Sequence, residues 1–387
     1  MSRATRVATR IAFFVAGIGT AAWAPLVPYA GQRVGADAGL LGLLLLCLGI
    51  GSLVTMPLSG ALAARFGCRR VITVAGVAIC AILPLLAVTA SLPTLAASLL
   101  AFGAAVGAID IAINVQAVIV ERADGRALMS GFHGMFSVGG IAGSGGVGLL
   151  LWAGATPLAV TLAVGVVILL LLAVAGRHLL PTGGAGGAPS LALPRGIVLL
   201  IGALCFIAFL AEGAMLDWSA VFLTTLRSVP TAQAGVGYAL FAAAMTAGRL
   251  GGDRLVQALG GRRVLLGGAG CAACGLTLAV AVPSAPAALG GFLLVGAGAA
   301  NIVPVLYSGL GRQRVMAPNL AVAGVTTLGY AGILAGPALI GGIARWAGLS
   351  TAFLVVAAML LVVAANCRVA GQPAAASRPA GAGGRHQ

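Results

Sequence analysis

Long apolar runs without alternation constrain this chain more than any other feature. From Ala352 to Ala365 there is neither a charged residue nor an exchange of polar with apolar positions. Across the chain 60% of residues are hydrophobic and 7% are charged, with a mean hydropathy of +1.12, whereas a soluble domain carries about 25% charged residues. A soluble core cannot hide that much apolar surface, because burial saturates with chain size. The solvent for most of the chain is therefore lipid. Lipid offers backbone groups no hydrogen-bond partner, so spanning segments must be helices or closed barrels. Barrel strands alternate over stretches of about ten residues, and these runs do not. The reading is an all-α integral membrane protein.

A spanning helix needs about 20 mostly apolar residues. Cutting at arginine clusters and Gly/Pro turns predicts about twelve spans, centred near residues 20, 51, 80, 107, 139, 165, 208, 240, 273, 299, 331 and 359. The N-terminal Arg3, Arg6 and Arg10 before an apolar stretch resemble a secretory signal. The stretch is too long for one, however, and it contains Trp23, Pro25 and Pro28. With the N-terminus inside, 19 of the 22 basic residues fall in inner loops or tails, and only Arg33, Arg227 and Arg345 fall outside. That bias predicts an inner-membrane protein of bacterial type with both termini cytoplasmic.

The net charge is +15. No soluble basic patch interleaved with aromatics accompanies it, so nucleic-acid binding is not expected. Every basic residue is arginine, and without lysine there is no GxxxxGK[ST] phosphate loop. Any pumping must then draw on an ion gradient or a separate partner. The Cys271/Cys274 CxxC pair lies in an apolar run with no second ligand pair, where cysteine packs as a small hydrophobe. Neither a metal nor a cofactor is expected. Three histidines, one of them His386 in the tail, make no cluster of the kind a membrane-embedded transferase needs, so an enzyme is not expected either. A sensor built on the same plan would lack polar residues in the spans or carry a signalling domain, and neither condition is met.

Four local features recur at nearly constant spacing. Phe66-Gly67-Cys68-Arg69-Arg70-Val71 returns as Leu259-Gly260-Gly261-Arg262-Arg263-Val264, 193 residues on. Trp23 returns as Trp218 after 195, Asp110 as Asn301 after 191, and Gly139 and Gly143 as Gly332 and Gly336 after 193. The chain therefore reads as a duplicated six-helix unit: residues 1–180 as one half, 181–195 as a Gly/Pro-rich cytoplasmic linker, 196–368 as the other half, and 369–387 as a disordered tail. Parallel repeats of this kind place a substrate site between the halves near the midplane.

On these residues the chain resembles the major facilitator superfamily. Gly60, Arg65, Gly67, Arg69 and Arg70 fit that family's GxxxDRxGxRR-like loop pattern, although Ala64 stands where the pattern has an acid. The resemblance implies a cytoplasmic gate built from these residues together with Arg249, Asp253, Arg254 and Arg262. Arg249 and Asp253 stand four apart, able to pair on one helical face. Gly332, Gly336 and Pro337 are similar to the family's GxxxGP packing pattern, and Gly139 and Gly143 repeat its spacing.

Three acids, Asp110, Glu212 and Asp217, fall within predicted spans. A mid-bilayer charge costs about 2.5–3.5 kcal/mol on insertion scales, so such residues mark ion or substrate paths. Asn114 lies one turn from Asp110 on the same face, and this DxxxN spacing is similar to the ExxxN of fucose-permease-like proton symporters. Glu212 and Asp217 are about 140° apart around their helix, which predicts Glu212 as a second cavity acid and Asp217 as an outer gate or anchor. Trp23 and Trp218 could stack on a substrate ring, His133 could relay a proton, and Asn301 and Asn114 could bind hydroxyls from pseudo-equivalent spans. Gln116 is expected to face elsewhere. The expected function is alternating-access secondary transport by a monomer, most simply proton-coupled uptake of a small hydrophilic, sugar-like solute. Proton-antiport efflux of a drug or metabolite is the alternative.

Overall fold

The computed structural model describes residues 1–36, 38–183, 193–230 and 233–371. Twelve helical spans follow one another: α1 (Arg3–Val34), α2 (Ala38–Phe66), α3 (Cys68–Val88), α4 (Leu92–Asp124), α5 (Met129–Trp152), α6 (Pro157–Gly176), α7 (Ile197–Arg227), α8 (Val236–Leu259), α9 (Gly261–Ala281), α10 (Ala285–Leu310), α11 (Pro318–Ala347) and α12 (Leu349–Ala365). The described residues contain no strand. Ten spans are long and apolar enough to cross a membrane; α12 is shorter, and α8 carries Arg249, Asp253 and Arg254. Two spans are broken. In α1 a 3₁₀ turn at Ala24–Leu26 falls where Pro25 and Pro28 remove backbone donors, and α10 is interrupted at Ala300 and Asn301. Most of the expected linker and tail, along with Asp37, lies outside the described residues.

Helix pairings recur under a shift of six. α1 packs on α5 and α6, α2 on α4, and α3 on α4 and α6; α7 likewise packs on α11 and α12, α8 on α10, and α9 on α10 and α12. The two groups meet along α2–α11 and α5–α8, and the same shift exchanges these seams. The repetition reaches individual caps. Ser91 Oγ accepts from the Thr94 N–H at the start of α4, and Ser284 Oγ from the Ala287 N–H at the start of α10. Gly67 and Gly260, with φ of 84° and 80°, turn the chain into α3 and α9, a region open to glycine without strain. Arg33 donates to the Leu86 and Thr89 carbonyls at the end of α3, and Arg227 to the Ala279 and Val280 carbonyls at the end of α9. Each cation satisfies the free carbonyls of a helix C-terminus. Two of the three arginines outside the charge bias are therefore structural caps.

Glycine sets how closely the helices of a pair approach. A Cβ on Gly139 would overlap the Phe14 carbonyl oxygen of α1, one on Gly17 the Phe136 oxygen of α5, and one on Gly332 the Phe206 oxygen of α7. Gly336 differs, since its nearest neighbour would be 3.9 Å from an added Cβ. Close packing at the α11 GxxxGP pattern therefore rests on Gly332, and Pro337 sits inside an unbroken α11. Gly139→Ala is expected to cost about 1–3 kcal/mol, because backbone on the facing helix must move. Gly145→Ala, with nothing near its Cβ, is expected to be neutral or to gain up to about 1 kcal/mol from helix propensity. Thermal unfolding of the two variants in the same detergent checks this; equal melting temperatures would refute the close-packing account.

Candidate functional site

The polar centre of the bundle is assembled from six helices, and its charges are few enough to follow one by one. On α4, Asp110 is buried, and Asn114 Nδ2 donates to the Asp110 backbone oxygen at 2.9 Å and lies 3.4 Å from its Oδ1. The 3.6-residue period puts both side chains on one face. Asn114 Oδ1 is buried and has no partner among the described residues. Tyr307 of α10 and Tyr330 of α11 lie within electrostatic reach of Asp110, and Tyr330 is also within reach of Glu212. Tyr307 Oη shares a 2.5 Å hydrogen bond with Thr326 Oγ1, which anchors the ring.

Glu212 of α7 and Arg249 of α8 form an ion pair, Nη2 to Oε1, at 3.1 Å. The same guanidinium donates from Nη1 to Ser137 Oγ of α5 at 3.1 Å and, more weakly, from Nε to the Ala300 carbonyl at 3.4 Å. The positive-inside count puts Arg249 in a cytoplasmic loop, and its spacing suggests a pair with Asp253. Both expectations are corrected: Arg249 is 8% exposed, inside the bundle, and neutralises Glu212. The physical reason is that an acid buried in the spans needs a counter-charge, and α8 is long enough to carry one inward. His133 of α5 lies beside this centre, its ring 5.4 Å from Phe13 and 5.7 Å edge-on from Tyr307. Its Nε2 is buried without a partner, so no continuous hydrogen-bonded relay passes through it among the described residues.

Other expected site residues lie apart. Asn301 Nδ2 donates to the Gly248 carbonyl at 3.1 Å, and the amide packs beside Gly252 and Ser130. It ties the α10 break to α8 instead of facing Asp110. Asp217 is exposed. Trp23 stands at the α1 break and Trp218 against Gly341 of α11, and both indole N–H groups are buried without partners among the described residues. Gln116 donates to Thr9 Oγ1 and accepts from the Leu180 N–H, holding α4 to α1 and to the end of α6. Tyr307, Tyr330 and Ser137 are additions that no motif announced. Their only sequence signal is a polar group in an apolar run.

Of the gate residues of the sequence reading, Asp253 and Gly60 make contacts across the two seams. Across α5–α8, the Gly131 N–H donates to Asp253 Oδ1 at 3.0 Å and Gln257 Nε2 to the Ala127 carbonyl at 3.1 Å. Glu121 Oε2 accepts from the Leu128 and Met129 N–H groups at 2.8 and 2.7 Å. Two carboxylates thus hold the start of α5, where free amides and the helix dipole favour anions. Across α2–α11, Asn319 Nδ2 donates to the Gly60 carbonyl at 3.2 Å, and a Cβ on Gly60 would crowd Asn319 and Ala323. Asp124 pairs with Arg6 and Arg126. Arg69 donates to the Leu179 and Arg177 carbonyls at 3.0 and 2.7 Å, closing the end of α6. Arg65, Arg70, Arg254 and Arg262 form no ion pair among the described residues.

A twelve-span bundle with a six-helix repeat and acids within its spans is the build of a polytopic transporter. Residues 10–313 match the Major Facilitator Superfamily model, and the chain belongs to that family. It is 58% identical over 364 residues to an uncharacterized MFS-type transporter of Yersinia pestis, covering 94% of this chain and 95% of that one. It is 32% identical to the membrane protein MosC of Rhizobium meliloti, covering 93% and 88%. Among solved structures, the Escherichia coli fucose:proton symporter FucP superposes with a TM-score of 0.78 at 15% identity, covering 95% and 98%; that likeness concerns the fold. As a member of this family the chain is a transporter, not an enzyme.

Proposed function

We propose that the chain takes up a small hydrophilic, hydroxyl-rich solute together with protons by alternating access, and that Asp110 carries the coupling proton. The supporting observation is that each helix group contributes an acid to the interior, Asp110, buried on α4, and Glu212 on α7, paired with Arg249, with Tyr330 within electrostatic reach of both. Glu212 already has a counter-charge in Arg249, whereas among the described residues Asp110 has no cation and accepts only from Asn114. An unpaired carboxyl that meets water in one conformation and a closed bundle in another takes up and releases a proton. Asn114 Oδ1 and His133 Nε2, both buried without partners among the described residues, stand ready for solute hydroxyls, since buried polar atoms seek hydrogen bonds. The structural neighbour FucP is named as a fucose:proton symporter, in line with this reading.

Orientation enters the same proposal. The arginine bias toward the end that carries both termini survives the removal of Arg249 from the count, so that end is read as cytoplasmic. The Gly131–Asp253 and Asn319–Gly60 bonds are read as its closed gate.

The test uses proteoliposomes loaded with a pH-sensitive dye and challenged with single sugars and polyols. Solute addition should acidify the lumen, and an inward-directed proton gradient should drive accumulation. Solute leaving as protons enter would instead establish efflux by antiport. Solute movement with no proton movement under either gradient would overturn coupling.

A further inference from the structure

Arginine outnumbers acid 22 to 7 in this chain, and among the described residues no acid lines the arginine-bearing cavity at the turn between α2 and α3. Asp110, Glu212 and Asp217 lie in the spans. Glu121 and Asp253 hold the start of α5, and Asp124 pairs with Arg6 and Arg126. Asp37 lies outside the described residues. At that turn, Arg65, Arg69 and Arg70 line a cavity of about 390 Å³ together with Ala64, Phe66 and Thr182. Arg69 is committed to the carbonyls of α6. Arg65 and Arg70 are exposed at its mouth and form no ion pair among the described residues, Arg65 lying over the Phe66 ring at 5.1 Å. The connection that leaves the cavity, residues 181–194, contains no acid that could supply a counter-ion.

The flanks of the cavity indicate what brings the anion. Leu58, Leu62 and Phe66 recur at four-residue spacing on α2 and are 46%, 40% and 40% exposed. Arg70, Val74 and Val77 share a face of α3, and Val74 is 68% exposed. Two exposed apolar stripes on lipid-facing helices thus run from the hydrocarbon region to the same arginines. Free phosphate has no use for these stripes, whereas a two-chain lipid does.

We propose that this cavity binds the phosphate of an anionic phospholipid, with Arg65 and Arg70 on the phosphate oxygens and the acyl chains along the α2 and α3 stripes. Basic pockets at membrane depth bind anionic headgroups in this way, and the guanidinium fork suits phosphate. Ala64 is part of the specificity, because a carboxylate there would neutralise the cavity from within.

Native mass spectrometry of the full chain, titrated with phosphatidylglycerol or phosphatidylcholine, tests the assignment. One phosphatidylglycerol should be retained in preference. Each of Arg65→Gln and Arg70→Gln should weaken it about fivefold, the worth of one arginine near an anionic surface. Ala64→Asp, which keeps all three arginines, should weaken it similarly and serves if the arginine variants fail to fold. Arg263→Gln, an exposed arginine of the pseudo-equivalent turn, should change nothing. The proposal fails if Ala64→Asp retains phosphatidylglycerol like the parent chain, or if Arg263→Gln weakens it as much as Arg65→Gln, which would mean diffuse surface attraction. It also fails if inorganic phosphate displaces the lipid, because the ligand would then be soluble.

Discussion

Asp110→Asn is expected to leave a folded chain that exchanges solute across a vesicle membrane but no longer accumulates it against a gradient. The substitution preserves shape and the contact with Asn114, whose Nδ2 also bonds the unaltered Asp110 backbone oxygen at 2.9 Å. Stability should therefore change by less than about 1 kcal/mol, the range for substitutions that open no cavity and strand no charge. Under the proposed coupling role, what is lost is the ability to bind a proton in one conformation and release it in the other. Because a ligand shifts a conformational equilibrium only through its differential affinity for the two states, a chain with no titrating group at this position cannot convert a proton gradient into a solute gradient. Two assays decide it: counterflow of labelled solute, expected to persist, and uptake under an imposed proton gradient, expected to stop at equal concentrations. Uphill uptake by the variant would transfer the coupling role away from Asp110 and make Glu212 the next candidate.

The fold was legible because its cause is local. Lipid forces each long apolar run into a helix, and arginine clusters and Gly/Pro turns cut the runs where the helices end. The duplication was legible for the same reason, at Phe66–Val71 and Leu259–Val264, where identical turns need identical residues. Its deeper traces, the Ser91/Ser284 caps and the Arg33/Arg227 caps, are single residues in changed surroundings and emerge only once the helix ends are placed. The site was half legible. A carboxylate in an apolar span is conspicuous, so Asp110 and Glu212 stand out. Their partners do not, because contact between helices far apart in sequence follows from packing angle and rotation, which periodicity leaves free. Thus Arg249, 37 residues from Glu212, reads as a loop cation, and Tyr330 reads as one aromatic among many. Asn301 shows the converse. Its offset from Asp110 correctly assigns it to the equivalent helix, but the α10 break turns its amide onto the Gly248 carbonyl.

Removing one member of the largely buried Glu212–Arg249 ion pair is expected to produce the largest loss of stability in the chain. Arg249→Ala leaves the Glu212 carboxylate inside the bundle without its cation, and it strips Ser137 Oγ of its donor as well. Breaking a buried pair from one side costs about 3–5 kcal/mol, chiefly the penalty of the stranded charge. Neutralising both sides removes that penalty, so Glu212→Leu combined with Arg249→Leu should recover most of the lost stability. The two changes are strongly non-additive because the residues touch. Under the proposed alternating-access cycle transport should not return with stability, since the double variant no longer joins α7 and α8 to Ser137 of α5 through a charged bond. Thermal unfolding in detergent, run on both single variants and the double, reads the coupling directly, and vesicle uptake of the same proteins reads function. If Arg249→Ala melts with the parent chain, the pair carries no net stabilising energy and Glu212 must be accommodated as the neutral acid. If the double variant transports normally, the pair is structural and the charged bond between α5 and α8 plays no part in the cycle.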